Sequence, residues 1–195
     1  MTDLKQLLGF PFKEREWFIK MIMGSVITLV PVVNFLSLGY FLRCVNYGWR
    51  GLRIIPDWSN WAELFRDGCM VFLIILAYLV FPISIAFLML TVPVVGTAFA
   101  SLTVFIMSLF IPMAIANYAV HKNMRDAFML VDIFHQVGRV MSFYLIAYLT
   151  AALGVIIGAA LLLGLPLLGF IGGIIIFYCG VVFFNLLGFL YHDAC

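Results

Sequence analysis

The sequence predicts an all-α protein, a polytopic bundle of transmembrane helices that forms a single integral membrane domain over residues 1–195. Composition is the first reason, because hydrophobic residues make up 66% of the chain and charged residues only 10%. Soluble domains carry about 25% charged residues, so too few polar side chains are present here to cover a water-facing surface. The second reason is a set of long uncharged stretches.

Four of these stretches exceed the roughly 20 apolar residues that a membrane-spanning helix needs. They lie at 68–92, 96–120, 140–164 and 168–191. Pro93 and Gly96 separate the first two, and Pro166 and Gly169 separate the last two. Since Pro and Gly at such points indicate tight turns, the sequence predicts two helical hairpins, at 68–120 and 140–191.

The first apolar segment, 18–42, is broken by Pro31-Val-Val-Asn34 and has two interpretations. A single kinked span is long enough to cross a bilayer, whereas the arms of a hairpin are too short and must be re-entrant. The hairpin keeps every charged residue on one face, so we prefer it. Because non-helical backbone at membrane depth needs cover from protein or water, the other helices are expected to shield Pro31–Asn34.

The loops at 43–67 and 122–139 contain seven of the eleven Lys and Arg residues. An even number of spans separates these loops, so they share a face. The preference of Lys and Arg for the cytoplasmic side assigns that face, and the C-terminus with it, to the cytoplasm.

Two stretches of these loops have apolar residues at helical spacing and predict amphipathic helices lying in the membrane interface. The first is 56–67, where Trp58 and Trp61 suit the interface because an apolar ring carries a polar N–H. The second is 125–139, whose apolar face consists of Leu130, Ile133, Phe134 and Val137.

Candidate chemistry is sparse. A net charge of +2 without a basic stripe argues against nucleic-acid binding. His121, Asp126, Asp132 and His135 are the densest set of possible metal ligands, but they lack a compact motif, so neither a metal site nor a cofactor is predicted. Catalytic side chains in a recognisable arrangement are missing as well. Asn34 has two interpretations, a polar group facing a partner helix or cavity, and a turn residue after Pro31.

A set of motif elements gives a family resemblance, concentrated in the part of the chain up to Pro82. In chain order the elements are Phe10-Pro-Phe-Lys13, Trp17, Lys20, Gly24, Pro31 to Tyr40, Arg43, Gly51, Ile55-Pro-Asp-Trp58, Leu64 to Gly68, Tyr78 and Pro82. They resemble the prokaryotic membrane family catalogued as domain of unknown function 4013. A similar but less specific stretch includes Ala127, Phe128, Ile133 and Tyr144.

The resemblance implies a multi-pass membrane protein of a bacterium or archaeon, and so a place in the cytoplasmic (inner) membrane, but it implies no activity. The motif positions that it singles out are Asn34, Gly39, Tyr40, Pro56, Trp58 and Gly68. Trp61 joins them as a possible partner-binding or structural residue through its place in the predicted interfacial helix.

These features favour a non-enzymatic structural or accessory subunit that packs against membrane lipid and against other membrane proteins or further copies of itself. The alternative is a transporter or channel for a small molecule or lipid, with the Pro31–Asn34 dip in its path. A membrane enzyme acting on lipid through His121 or Asp132 is a third possibility.

Overall fold

The computed structural model describes residues 9–89, 93–164 and 169–194, and the regular elements in those ranges are all helical. The described residues form six α-helices: α1 Trp17–Leu29, α2 Asn34–Trp49, α3 Trp61–Met89, α4 Pro93–His121, α5 Leu130–Gly164 and α6 Gly169–Ala194. A short 3-10 helix, Phe10–Lys13, precedes α1, and a second, Asp126–Phe128, joins α4 to α5. Helices α3 to α6 are long and apolar enough to cross a bilayer. The chain is therefore a helical membrane protein, as predicted.

The first apolar segment folds back on itself as a hairpin of α1 and α2. Near the start of α1, the carbonyl oxygen of Lys20 accepts a hydrogen bond from Trp58 Nε1 at 3.3 Å. The Lys20 ammonium lies 3.5 Å from the carbonyl oxygen of Ile55, which follows α2. Because the start of α1 and the chain after α2 meet, this segment has the hairpin form and not that of a single kinked crossing.

The turn of this hairpin is exposed, so the expectation that other helices shield Pro31–Asn34 is wrong. The backbone closes its own hydrogen bonds there. Val30 N–H donates to Ile27, and Asn34 N–H donates to Val30 at 3.0 Å. Val32 takes a left-handed φ of 69°, which allows the sharp reversal. Pairing of the Val30 and Asn34 N–H groups within the turn reduces the amount of unpaired backbone that would need cover in lipid.

Helix α2 crosses α3 at backbone contact. A Cβ on Gly39 would overlap the carbonyl oxygen of Leu64, and one on Gly68 would overlap that of Phe35. Within a membrane the apolar effect does not drive helices together, so close packing at small residues becomes the main attraction. Two residues of the family motif therefore serve to join α2 to α3.

Helix α2 makes a second close crossing, with α6. There, a Cβ on Gly48 would overlap the carbonyl oxygen of Asn185, and one on Gly188 would overlap that of Val45. The amide of Asn185 donates to the carbonyl oxygen of Leu52 at 3.1 Å and holds the end of α2 in place. The short helix α2 is thus fixed between two long helices.

The two long hairpins are α3 with α4 and α5 with α6. Hydrogen bonds between α4 and α5 connect the two hairpins. The Tyr144 hydroxyl donates to the Leu109 carbonyl oxygen at 2.5 Å, and the Ser108 and Tyr148 hydroxyls lie 2.8 Å apart. Away from this region large apolar side chains are exposed, with Phe87 74% and Leu163 85% accessible. The predicted turns fall partly at 90–92 and 165–168, outside the described residues.

The predicted interfacial helix over 56–67 is wrong in its first half. Residues 56–60 are not helical, and α3 begins at Trp61, so 61–67 form its first turns. Trp58 stacks on Tyr40 with ring centroids 4.2 Å apart, and Asn60 has a left-handed φ of 53°. The spacing of the tryptophans indicated a helix, but the stacking on α2 determines the local structure.

The second predicted interfacial segment, 125–139, agrees better with the structure. It contains the 3-10 helix and the start of α5, and α5 departs from helical backbone at Val140. Ile133 and Val137 are buried, while Leu130 and Phe134 of the same predicted face are exposed. The bend at Val140 coincides with the expected boundary between the amphipathic segment and the span.

We expect Gly39→Ala to destabilise the protein by about 1–3 kcal/mol, because the added methyl overpacks the crossing of α2 and α3. The matched control is Gly138→Ala on α5, where a Cβ would meet nothing within 4 Å. Thermal unfolding of both variants in the same detergent measures the effect. Equal melting temperatures for the two variants would contradict the close crossing.

Candidate functional site

Charged side chains gather at one end of the helix bundle and join segments that are distant in sequence. Lys122 Nζ lies 2.5 Å from Asp67 Oδ2 and so connects the two basic loops. Arg43 contacts Glu63 at 3.3 Å, at the start of α3. Asp and Glu, like Lys and Arg, do not occur between residues 68 and 121 or between 140 and 192. The two loops lie on one face of the bundle, as their spacing predicts.

An aromatic cluster, made of Tyr40, Trp58, Trp61 and Phe177, holds the loop between α2 and α3. The Tyr40 ring is fully buried, and its hydroxyl donates to the carbonyl oxygen of Pro56 at 2.7 Å. Trp58 stacks between Tyr40 and Trp61, and its ring centroid lies 6.0 Å from that of Phe177 on α6. This cluster fastens the loop to both α2 and α6.

Most of the sequence-predicted site residues therefore come together. Tyr40, Pro56, Trp58 and Trp61 belong to the aromatic cluster or its hydrogen bond, and Gly39 lies next to Tyr40 on α2, facing the start of α3. Asn34 stands apart as the first residue of α2, exposed and without a side-chain capping bond. Its position suits the turn interpretation.

Lys20 is one of the elements of the family resemblance but is not among the predicted site residues, and the structure places it in the site. Its side chain is only 7% exposed, and its ammonium pairs with Glu14 and, at 2.5 Å, with Asp57. Lys20 lies outside the four candidate spans. Burial alone would lower the pKa of the Lys20 ammonium, but its bonds to Asp57 and Glu14 outweigh that effect and raise the pKa. In the sequence, the feature that could have identified Lys20 as a site residue is its position as a lone Lys in an apolar stretch.

A polar cavity of about 420 Å³ opens beside these ion pairs. The last turns of α2 contribute Arg43 and Tyr47 to it, and Arg50 follows directly after the helix. The start of α3 and the loop before it contribute residues that include Asn60, and Lys122 closes the side next to α4. The cavity therefore collects groups from three parts of the chain that no local motif connects.

A second polar cluster, buried between α4, α5 and α6, centres on Asn117. The Asn117 amide donates to Gln136 Oε1 at 2.8 Å, and its Oδ1 accepts from the Tyr191 hydroxyl at 3.0 Å. A ring nitrogen of His121 lies 3.2 Å from the Asn117 carbonyl oxygen. These bonds fix the charged ends of α4, α5 and α6 relative to one another. The sequence alone does not predict this role, because it shows only isolated polar residues in apolar segments.

The possible metal ligands of the sequence are not brought into one group. His121 Nδ1 lies 3.8 Å from Asp126 Oδ2, while Asp132 and His135 are exposed on α5. Across residues 9–89, 93–164 and 169–194, no three His, Cys, Asp or Glu side chains are arranged to hold a metal ion.

Comparison with protein families adds one finding. The sequence model of a family described as a protein of unknown function, DUF4013, matches residues 22–167, which is well over half of the chain. The chain belongs to this family. The DUF4013 match includes Asn34, Gly39, Tyr40, Pro56, Trp58 and Gly68 and confirms the resemblance, although the elements from Phe10 to Lys20 fall outside it. Neither the curated proteins nor the solved structures contain a match.

In this DUF4013 chain we expect Trp58→Ala to loosen the loop between α2 and α3, because it removes the stacking on Tyr40 and Trp61. Aromatic pairs contribute about 0.5–1.5 kcal/mol beyond burial, so tryptic cleavage at Arg53 should become about tenfold faster where cleavage follows local opening. Trp49→Ala is the control, since Trp49 is 37% exposed. Unchanged cleavage in Trp58→Ala would show that the cluster does not hold the loop.

Proposed function

We propose that the protein is a non-enzymatic structural or accessory subunit of the prokaryotic cytoplasmic membrane, where it packs against lipid and other membrane proteins. The observation that carries this proposal is the uncovered apolar surface of α5. In the most apolar stretch of 18 residues in α5 only 6% of the residues are buried, against 33% in the corresponding stretch of α6. A spanning helix with so little cover from its own chain needs lipid or a partner helix around it.

The small residues of α5 pack against α6 of the same chain. A Cβ on Gly154 would overlap Cys179, and one on Gly158 would overlap Ile176 of α6. The other sides of α5 carry large exposed side chains, among them Phe143 at 74% and Ile156 at 64%. The small-residue face is therefore already occupied by α6, and contact with a partner falls to the bulky faces.

The inside of the bundle supports a packing role over a transport path. Its interior is filled by fully buried large side chains, including Tyr40, Tyr144, Tyr191 and Phe177. The polar cavity lies at the end of α2 near Arg50, whereas Asn34 begins α2 at the opposite end. The transporter alternative, which needs the Pro31–Asn34 turn, gains no support from this arrangement.

The side chains that an enzyme acting on lipid would need are also spread apart. His121 is engaged with the Asn117 carbonyl oxygen and Asp126, while Asp132 is exposed on another helix. Such a separation favours a non-enzymatic role.

The proposal predicts a fixed protein partner along α5. A photo-crosslinking amino acid at Phe143 or Ile156 should capture one protein of constant mass in the native membrane. The same group at Phe87 of α3, equally exposed at 74%, is the matched control for random encounters.

Two outcomes would contradict the proposal. One is crosslinking to lipid alone at Phe143 and Ile156 with no protein product. The other is transport or turnover by the purified chain in liposomes, which would favour the alternative functions.

The proposed orientation has the basic loops and the C-terminus on the cytoplasmic side, which predicts a labelling pattern in intact cells. Lys13→Cys and Asn123→Cys should react with a membrane-impermeant maleimide only after permeabilisation, because Lys and Arg are retained inside. Leu163→Cys at the far end of α5 should react from outside, and the unsubstituted chain gives the background of its own cysteines. Reaction of Lys13→Cys in intact cells would overturn this orientation.

A further inference from the structure

We propose that the cavity at the charged end binds a phosphate ester, with the Arg50 guanidinium as its anchor. A volume of about 420 Å³ lies within the roughly 300–1,000 Å³ of small-molecule sites. Its lining is polar, which suits a charged group better than an apolar ligand. This site is additional to the packing role and does not depend on it.

The pairing of charges around the cavity leaves the Arg50 guanidinium available to an anion. Each carboxylate in its lining already has a cationic partner within 3.3 Å. The pairs are Asp57 with Lys20, Glu63 with Arg43, and Asp67 with Lys122. Arg50 also lines the cavity, and its side chain makes no ion pair or hydrogen bond in the part of the chain that the structure describes. Lys20 is shared between Asp57 and Glu14, and Arg50 is the cation of the lining that has no carboxylate partner among the described residues.

Further donors surround Arg50. Tyr47 and Asn60 line the same cavity, and neither side chain has a hydrogen-bond partner among the described residues. A guanidinium binds phosphate oxygens through two parallel hydrogen bonds, and a hydroxyl and an amide can donate to the remaining oxygens. Arg50, Tyr47 and Asn60 together provide the donors that a phosphate needs.

Two residues of the cavity wall have an unusual backbone. Asn60 and Lys122 take left-handed φ values of 53° and 55°. This region is uncommon for residues other than glycine, and where it occurs it clusters at binding and catalytic sites. At Lys122 it follows the end of α4 and accompanies the ion pair of its ammonium with Asp67. Two residues of the cavity wall, Asn60 and Lys122, are therefore held in a backbone conformation that most residues avoid.

The surroundings make a phospholipid headgroup an available source of this phosphate. Trp49, Leu52 and Ile54 flank Arg50 in the chain and are exposed. Exposed tryptophan and aliphatic side chains beside arginine are typical of the membrane interface, where headgroup phosphates lie. A soluble phosphate ester has the same reactive group, so the experiment separates the two sources.

The test uses the purified full chain in nanodiscs of phosphatidylcholine with a minor fraction of phosphatidylglycerol, followed by native mass spectrometry of the released protein. The unsubstituted chain should retain phosphatidylglycerol in preference to phosphatidylcholine, since phosphatidylglycerol carries a net negative charge and the Arg50 guanidinium has no carboxylate partner among the described residues. Arg50→Gln should lower this retention about tenfold, the loss expected for a charge-assisted hydrogen bond. Arg125→Gln removes an exposed charge from the other basic loop, outside the cavity, and should change nothing.

Asn60→Gly provides a second variant that keeps the left-handed backbone and removes only the amide, and it should also lower retention. Millimolar glycerol 3-phosphate forms the other arm. If it displaces the lipid from the unsubstituted chain but does not bind Arg50→Gln, the site takes soluble phosphate esters as well; if it does not compete, the site is specific for lipid. Equal retention by Arg50→Gln and Arg125→Gln would overturn the proposal and leave only diffuse attraction to anionic lipid.

Discussion

The structure depends on the backbone contact of α2 with α3 on one side and with α6 on the other. Carbonyl oxygens of Leu64 and Asn185 occupy the space that a side chain on Gly39 or Gly48 would need. In lipid no hydrophobic effect drives helices together, so their association depends on close packing. The small residues allow an approach that gives dispersion contacts which larger residues would prevent. A helix too short to cross a bilayer is thereby held at a fixed height. The cavity and the aromatic cluster both depend on that height, because Tyr40 and Arg43 project from α2 and Arg50 follows its last residue.

Much of the fold follows from sequence because the membrane leaves few alternatives. Uncharged stretches of sufficient length had to become spanning helices, and the distribution of Lys and Arg favoured the hairpin of α1 and α2 over a single crossing. The family motif identified Gly39, Tyr40, Trp58 and Gly68 before their contacts were known. The bend at Val140 also lies where the amphipathic pattern ends.

The parts that sequence did not predict are those decided by contacts between distant residues. Residues 56–60 have helical spacing of their tryptophans, yet the stacking of Trp58 on Tyr40 keeps them irregular. The ion pair of Lys20 with Asp57 links positions far apart in the chain. The cavity likewise takes Arg50, Asn60 and Lys122 from three segments, and no local spacing relates them. The sequence indicates which polar residues lie at the charged end, but which of them pair with each other can be seen only in the folded structure.

The bend at Val140 gives α5 two parts with different surroundings. The part after it, 141–164, is about 36 Å long at 1.5 Å per residue, while a bilayer core is about 30 Å thick. That part must tilt or locally thicken the surrounding lipid, and a change in bilayer thickness would alter its angle to the first part. Arg139, beside the bend, donates to the carbonyl oxygen of Ala194 at 2.8 Å. Through this bond a change in that angle would reach the end of α6, so that membrane thickness would act on this corner of the protein as a mechanical load.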